Sequence, residues 1–143
     1  LVYIEIEKNL GVDMFSHIMV GANDLEASKK FYDAVLGKLG AKPGVLAPNL
    51  TGQKRYLYFL GGSMFIITEP INGEPATHGN GSTIGFNADS PEDADAWHEA
   101  GVANGGTAIE DPPGIRGDTG MQFYLAYLLD PAGNKVCAMH TVR

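Results

Sequence analysis

Apolar and polar positions in this chain alternate in short bursts and twice give way to a helical period. Just after His17, Ile18 and Val20 alternate with Met19 and Gly21, the pattern of a short strand with one buried face. From Asp24 onward apolar residues recur at helical spacing as far as Gly40, with Asp24 at the N-cap and Phe31 as the large side chain of the buried stripe. Two strand-like runs follow, YLYFL (56–60) and MFIIT (64–68), separated by Gly61, Gly62 and Ser63. Such a spacer suits a tight connection.

The same order returns later, and internal repetition decides what fold is expected. Laid without gaps over the segment that begins at Thr83, the segment from His17 matches it at an offset of 66 residues. Ile18 meets Ile84 and Val20 meets Phe86 on the strand; Asp24 meets Ser90 as N-caps; Phe31 meets Trp97 on the buried helix face; Gly40 meets Gly106 past the helix end. Pro91 takes the favoured first helical position and Asp93 completes a capping box. A second strand pair, FYLAYLL (123–129) and KVCAM (135–139), flanks Asp130-Pro131-Ala132-Gly133-Asn134. Each half thus reads strand, helix, then two or three strands. A Pro/Gly-rich stretch over 70–81 joins the halves, and another over 111–120 forms a long loop inside the second. One domain is expected over 14–143, with repeats at about 14–72 and 80–141. Residues 1–13, where Val2, Ile4 and Ile6 alternate with Tyr3, Glu5 and Glu7, are either a leader or extension ahead of Met14 or an edge strand, with the leader preferred.

Composition narrows the partners. A chain of 143 residues that is 44% hydrophobic buries one core. Its formal charge of −7 and its lack of a Lys/Arg cluster argue against nucleic acid. Cys137 is the one cysteine, which excludes an internal disulfide and a zinc site built on several thiolates. No apolar run approaches the roughly 20 residues that cross a bilayer, so no membrane partner is expected and a cytoplasmic location is.

The segments Ser16-His17-Ile18, Asp24 to Gly37 ending in FYDAVLG, GEPATHGNGSTIGF (73–86) and DPAGNKVCAMH (130–140) together resemble the vicinal oxygen chelate superfamily, the glyoxalase/bleomycin-resistance/dioxygenase proteins. Within it they look most like small bacterial glyoxalase-like members, and the likeness runs from Met14 to about His140. The resemblance implies an α+β fold of two βαβββ modules whose sheets curl into a half-barrel around a cavity, with helices on the outer face and often a second subunit completing it. A homodimer is therefore expected. In the metal-dependent members four positions on first and last strands face the metal; carried over, they fall on His17, Ile66, Thr83 and Cys137. Relatives with a metal place His, Gln or Glu there. Ile66 has no donor and Thr83 is a weak neutral one, whereas a catalytic zinc takes about three protein ligands. The expectation is a site without a resident metal or other cofactor.

Strand alternation supplies a face-by-face expectation. His17, Met19 and Gly21 share one face, as do Thr83, Gly85 and Asn87, and Cys137 and Met139; this puts His17, Thr83 and Cys137 around one space. Leu57 and Phe59 are expected to pack on the helix, leaving Tyr56 and Tyr58 for the cavity, with Gln122 and Tyr124 on the same footing. Arg116, in the loop over 111–120, would cover the mouth or stand as a mobile solvated side chain. Such a pocket, with aromatic and sulfur-bearing walls and a few hydroxyls, suits a small organic molecule. His17 is the candidate acid/base, against the plainer role of a hydrogen-bonding histidine. Cys137 is a small buried hydrophobe or, if its thiol is acidified, a nucleophile. Glu69 is expected at a strand end in solvent, His98 at the surface and His140 on the helix side. Three functions follow from the resemblance: binding or lyase-type transformation of a small molecule with His17 as acid/base; sequestration of an antibiotic-like compound without chemistry; or metal-dependent lyase or dioxygenase catalysis.

Overall fold

Both helices start where the capping residues put them. In the computed structural model, which describes residues 14–142, Asp24 Oδ1 accepts the Ala27 N–H at 3.0 Å and opens α1 (Leu25–Gly37), while Ser90 Oγ accepts the Asp93 N–H at 3.1 Å and opens α2 (Pro91–Ala103). Each bond satisfies an amide that a helix start leaves unpaired. The alternating stretch 1–13 lies outside the described residues. Past α1 the backbone turns at Gly40, with φ of +106°; past α2 it turns at Gly105, with φ of +96°, one residue ahead of the expected Gly106. Gly106 serves packing instead, since a Cβ there would stand 2.5 Å from Phe31 Cε1.

The strands are β1 (Ile18–Gly21), β2 (Val45–Leu46), β3 (Arg55–Leu60) and β4 (Ser63–Thr68) in the first half, then β5 (Ile84–Asn87), β6 (Thr107–Ala108), β7 (Gly114–Gly117), β8 (Gln122–Leu129) and β9 (Lys135–Thr141) in the second. They form two open mixed sheets, ordered β1-β4-β3-β2 and β5-β9-β8-β6, with β7 also on β8. In each half the first strand pairs in parallel with the last, so the chain is an α+β fold of two βαβββ-type modules. The stretch 111–120, expected to be loop throughout, contains β7. Two-residue β6 leaves most of the outer edge of β8 unpaired, and β7 fills it, Ile115 opposite Tyr124. No helix among the described residues is long and apolar enough to cross a membrane.

The helices pack on each other and on the sheets, and Phe31 and Trp97, matched by the repeat, are both fully buried. A Cβ on Gly101 would lie 2.2 Å from Leu128 Cδ1 and 3.1 Å from both Phe31 Cε1 and Val35 Cγ1. Val35 is the repeat mate of Gly101, so one helix lends the bulk that the other gives up.

A polar link joins the modules. Asp130, only 4% exposed, accepts hydrogen bonds from the Tyr32 hydroxyl at 2.6 Å, the Ala132 N–H at 2.9 Å, the Asn134 N–H at 2.8 Å and Asn134 Nδ2 at 2.9 Å. Burial, then the nearby Asp130 carboxylate, push the Tyr32 phenol well above its usual range, so its proton stays in place to be donated. Asn134 Nδ2 also donates to the Gly21 carbonyl at 3.1 Å. This bond puts the end of β1 near the start of β5, while Phe65, opposite Ile18, meets Phe86 edge-to-face at 5.3 Å. The two edge strands, β1 and β5, therefore pass each other in opposite directions.

Candidate functional site

Between the modules, beside those edge strands, opens a cleft of about 670 Å³. His17 stands at the foot of β1, exposed to it, and shares a 2.8 Å hydrogen bond between its Nδ1 and Ser16 Oγ. Asn87 and Asp89, at the far end of β5, line the same cleft because the strands run oppositely. Phe15, Phe59, Phe65 and Phe86 supply its walls. Sequence patterning placed Asn87 toward the cavity but put Phe86 on the helix side; Phe86 reaches the cleft because β5 is an edge strand with one flank open. A smaller hollow of about 360 Å³ beside β2 and β3 carries Lys42 among apolar groups and no acid–base pair.

The three residues expected around one space are divided. Thr83 precedes β5, exposed and on the face of Gly85; a Cβ on Gly85 would sit 3.3 Å from Cys137 Sγ, so Cys137 shares that face. Met139, opposite Asn87, follows on the same side and is half-buried. Neither Thr83 nor Cys137 nor Met139 lines the cleft that holds His17. The opposed direction of β1 and β5 sets His17 and its repeat mate Thr83 at opposite ends of the facing strands, while Ile84 and Gly85 still line the cleft with His17.

The tyrosine faces are the reverse of the expectation. Tyr56 and Tyr58 turn toward α1, where their hydroxyls donate to Glu26 and to Asp33 Oδ1, the latter at 2.8 Å; Leu57 and Phe59 take the open face. Tyr58 still borders the His17 cleft. Tyr124 likewise donates to Asp95 on α2 at 2.6 Å. A tyrosine buries its ring while its tip reaches a carboxylate on the helix flank, an option that a count of apolar positions misses. The clue was present in sequence, since Glu26 and Asp33 stand seven residues apart on one side of α1. Burial, then the bond to Asp33, push the Tyr58 phenol far above its usual range. Burial alone would raise the Asp33 carboxyl, but bonds from the Gly44 N–H, Lys29 and Tyr58 outweigh it and hold it below the ordinary value.

Arg116 does not line the cleft: its Nη2 donates to the carbonyls of Asp111 and Pro112, both at 3.0 Å, and so ties the loop together. Glu69, half-buried, accepts the Lys54 N–H at 2.7 Å. His98 is half-buried instead of at the surface; burial lowers its imidazole, against a bond to the Tyr127 backbone. His140 lies on the helix-side face with Tyr124, its Nδ1 3.0 Å from the Ala88 carbonyl.

The register confirms that Ile66 and Cys137 are equivalent, since Ile66 pairs with Met19 of β1 and Cys137 with Gly85 of β5. The donors do not suit a metal ion. Ile66 offers none, Thr83 sits apart from His17, and among the described residues no three His, Cys, Asp or Glu side chains gather to hold an ion. Burial pushes the Cys137 thiol up to about 11, which makes it a poor ligand and a poor nucleophile at neutral pH.

The family model described as Glyoxalase/Bleomycin resistance protein/Dioxygenase superfamily matches residues 14–138. A crystal structure of a glyoxalase/bleomycin resistance protein from Albidiferax ferrireducens T118 is similar, with 62% identity and a TM-score of 0.80, covering 90% of this chain and 98% of that one. A lactoylglutathione lyase from Agrobacterium tumefaciens (21% identity, TM-score 0.58, covering 90% of this chain and 94% of that one) shares the fold. So does a genomically encoded fosfomycin resistance protein from Listeria monocytogenes (17% identity, TM-score 0.61, covering 90% and 91%). No curated protein matches the sequence. From the extent of the family match and the 62% identity, the chain belongs to the glyoxalase/bleomycin resistance protein/dioxygenase superfamily.

Proposed function

We propose that this protein binds a small, largely apolar organic molecule in the cleft that holds His17, and that His17 moves a proton on it without a resident metal, a lyase-type role. The observation that carries this is the make-up of the cleft: one imidazole, with Asn87 and Asp89 in the same lining, among phenylalanine walls from both modules. Its volume of about 670 Å³ falls in the range of small-molecule sites. Histidine is the side chain used most often for proton transfer, worth about 10²–10⁴-fold in rate. The unsuited set of His17, Ile66, Thr83 and Cys137 supports chemistry that does not route through an ion. One fold hosts many reactions, so the substrate is set by the cleft and not by the fold.

A second reading, sequestration without chemistry, draws on the aromatic walls and the charge of −7, which favour flat cationic compounds. In either case a homodimer is part of the proposal. Met19, Val45 and Phe59 on the open face of the first sheet are 42%, 57% and 55% exposed, an apolar strip that a second copy would cover. Sedimentation showing a monomer at micromolar concentration would remove the dimer.

The deciding experiment is a thermal-shift and turnover panel of oxygenated metabolites and antibiotics that includes lactoylglutathione and fosfomycin. A compound that raises Tm and is converted by the native chain, with conversion about 10²-fold lower or more in His17→Ala at unchanged binding, supports proton transfer. A shift without conversion selects sequestration. Phe15 is exposed at the rim, and ligand binding that is indifferent to Phe15→Asp would place the ligand elsewhere.

A further inference from the structure

The second sheet carries, apart from the His17 cleft, a group of charges that the fold does not account for. Lys135 opens β9 on the same face as Cys137 and Tyr127, opposite Leu129 in the register. Its ammonium lies over the Tyr127 ring, 4.9 Å from the centroid, and is paired with the Glu110 carboxylate. Glu110 is the single non-glycine among the described residues with a left-handed backbone, φ of +59°. Both partners are partly exposed, at 34% and 43% of their side chains, and an exposed ion pair adds little to stability. Glu110 thus combines a backbone conformation that disfavours it with an ion pair of small structural worth. Strain kept in this way clusters at ligand sites and switches.

The surroundings indicate what the contact stands in for. The loop that presents Glu110 is fixed from its other end by Arg116, bound to the Asp111 and Pro112 carbonyls. Next to Tyr127 on the same face run Leu125 and Met139, paired across β8 and β9 and half-buried. A fixed cation, an aromatic ring and an apolar strip thus adjoin, with the protein's own carboxylate on the cation. We propose that Lys135 and Tyr127 form a recognition site for a small organic carboxylate with an apolar body, and that Glu110 occupies the carboxylate position when no ligand is bound. The bond to Glu110 also raises the Lys135 ammonium above its usual range. None of these residues lines the His17 cleft, so the site stands or falls separately from the function proposed above.

The test uses the full chain, with benzoate as probe and benzamide as its uncharged counterpart, titrated by NMR or calorimetry at constant ionic strength. Glu110→Gln removes the internal competitor and is expected to bind benzoate about 10-fold more tightly than the native chain, because the open fraction of the site no longer limits apparent affinity. Glu110→Gly, which also suits the left-handed backbone, should show the same gain and decides the matter if the Gln variant folds poorly. Lys135→Met in either background should abolish benzoate binding. Equal benzoate affinity in the native chain and both Glu110 variants would overturn the proposal. So would benzamide binding as well as benzoate, binding indifferent to Lys135→Met, or no benzoate binding to any form at tens of millimolar.

Discussion

The first module turns Met19, Val45, Leu57 and Ile66 to the open face of its sheet, whereas the second turns Gly85, Tyr127, Lys135 and Cys137 to the corresponding side. On the helix side the two are alike: a capping side chain, a fully buried aromatic and a parallel first-to-last strand pair occur in both. A core position must fill a fixed volume beside fixed neighbours, so its size is held within narrow limits. A residue on the open face meets solvent or a ligand and is free to differ. The repeat therefore keeps its scaffold in common and divides its chemistry, with an apolar wall on one side and titratable groups on the other.

This comparison breaks most sharply at the connections before the last strands. Asp130→Ala leaves the Tyr32 hydroxyl, two backbone amides and the Asn134 side chain without their acceptor and is expected to cost about 3 kcal/mol in urea unfolding. Ser63→Ala, in the hairpin of the first module, touches an exposed residue and should stay within about 0.5 kcal/mol. Equal losses would mean that the modules are not linked in the asymmetric way described.

Helix packing offers the next test. Gly101→Ala drives a methyl into Leu128, Phe31 and Val35 and should cost about 2 kcal/mol, the range for overfilling a packed core. In Val35→Ala/Gly101→Ala that loss should fall below the sum of the two single losses, because the methyl then meets a smaller neighbour; strict additivity would separate the pair. Smaller again are the caps. Asp24→Ala and Ser90→Ala should each lower stability by about 1 kcal/mol, and a cap that costs nothing would end the claim that both modules start their helices alike.

The least of the effects concerns pH. The folded Cys137 thiol lies near 11, above the 9.0 of an ordinary cysteine. Its contribution to stability is therefore whole below about pH 9 and is lost as pH rises toward 11, because the unfolded thiol ionises first. Iodoacetamide alkylation of the native protein should rise with an inflection near 11, and Ile66→Cys, a thiol in the equivalent slot of the first module, should behave alike if the two faces differ only in side chains. An inflection below 8 would revive Cys137 as a nucleophile.

Much of the scaffold could be read from the chain. Asp24 and Ser90 cap and Phe31 and Trp97 are buried, as the offset of 66 residues indicates, while the slots Ile66 and Cys137 correspond through their shared place on the last strands. Arg55 to Leu60 was misread because both of its faces are apolar or aromatic, and the carboxylates that claim Tyr56 and Tyr58 sit on another element. β7 was missed because Gly- and Pro-rich text resembles loop until a neighbouring strand with an unpaired edge is known. The make-up of the His17 cleft, which holds Gly85 but not Thr83 or Cys137, lay beyond the repeat for a similar reason, since the repeat equates positions but says nothing of how two edge strands pass each other.

The sequence by itself determined where the helices begin and which residues along a strand share a face. Those follow from short-range geometry, the two-residue and 3.6-residue periods and the needs of unpaired helix amides. The tertiary structure alone decided which face of β3 meets the helix, that His17 lies with Asn87 and away from Thr83, and that Lys135, Tyr127 and Glu110 meet. Such contacts join residues far apart in the chain, and their outcome depends on strand direction and competing burial, which no local pattern encodes.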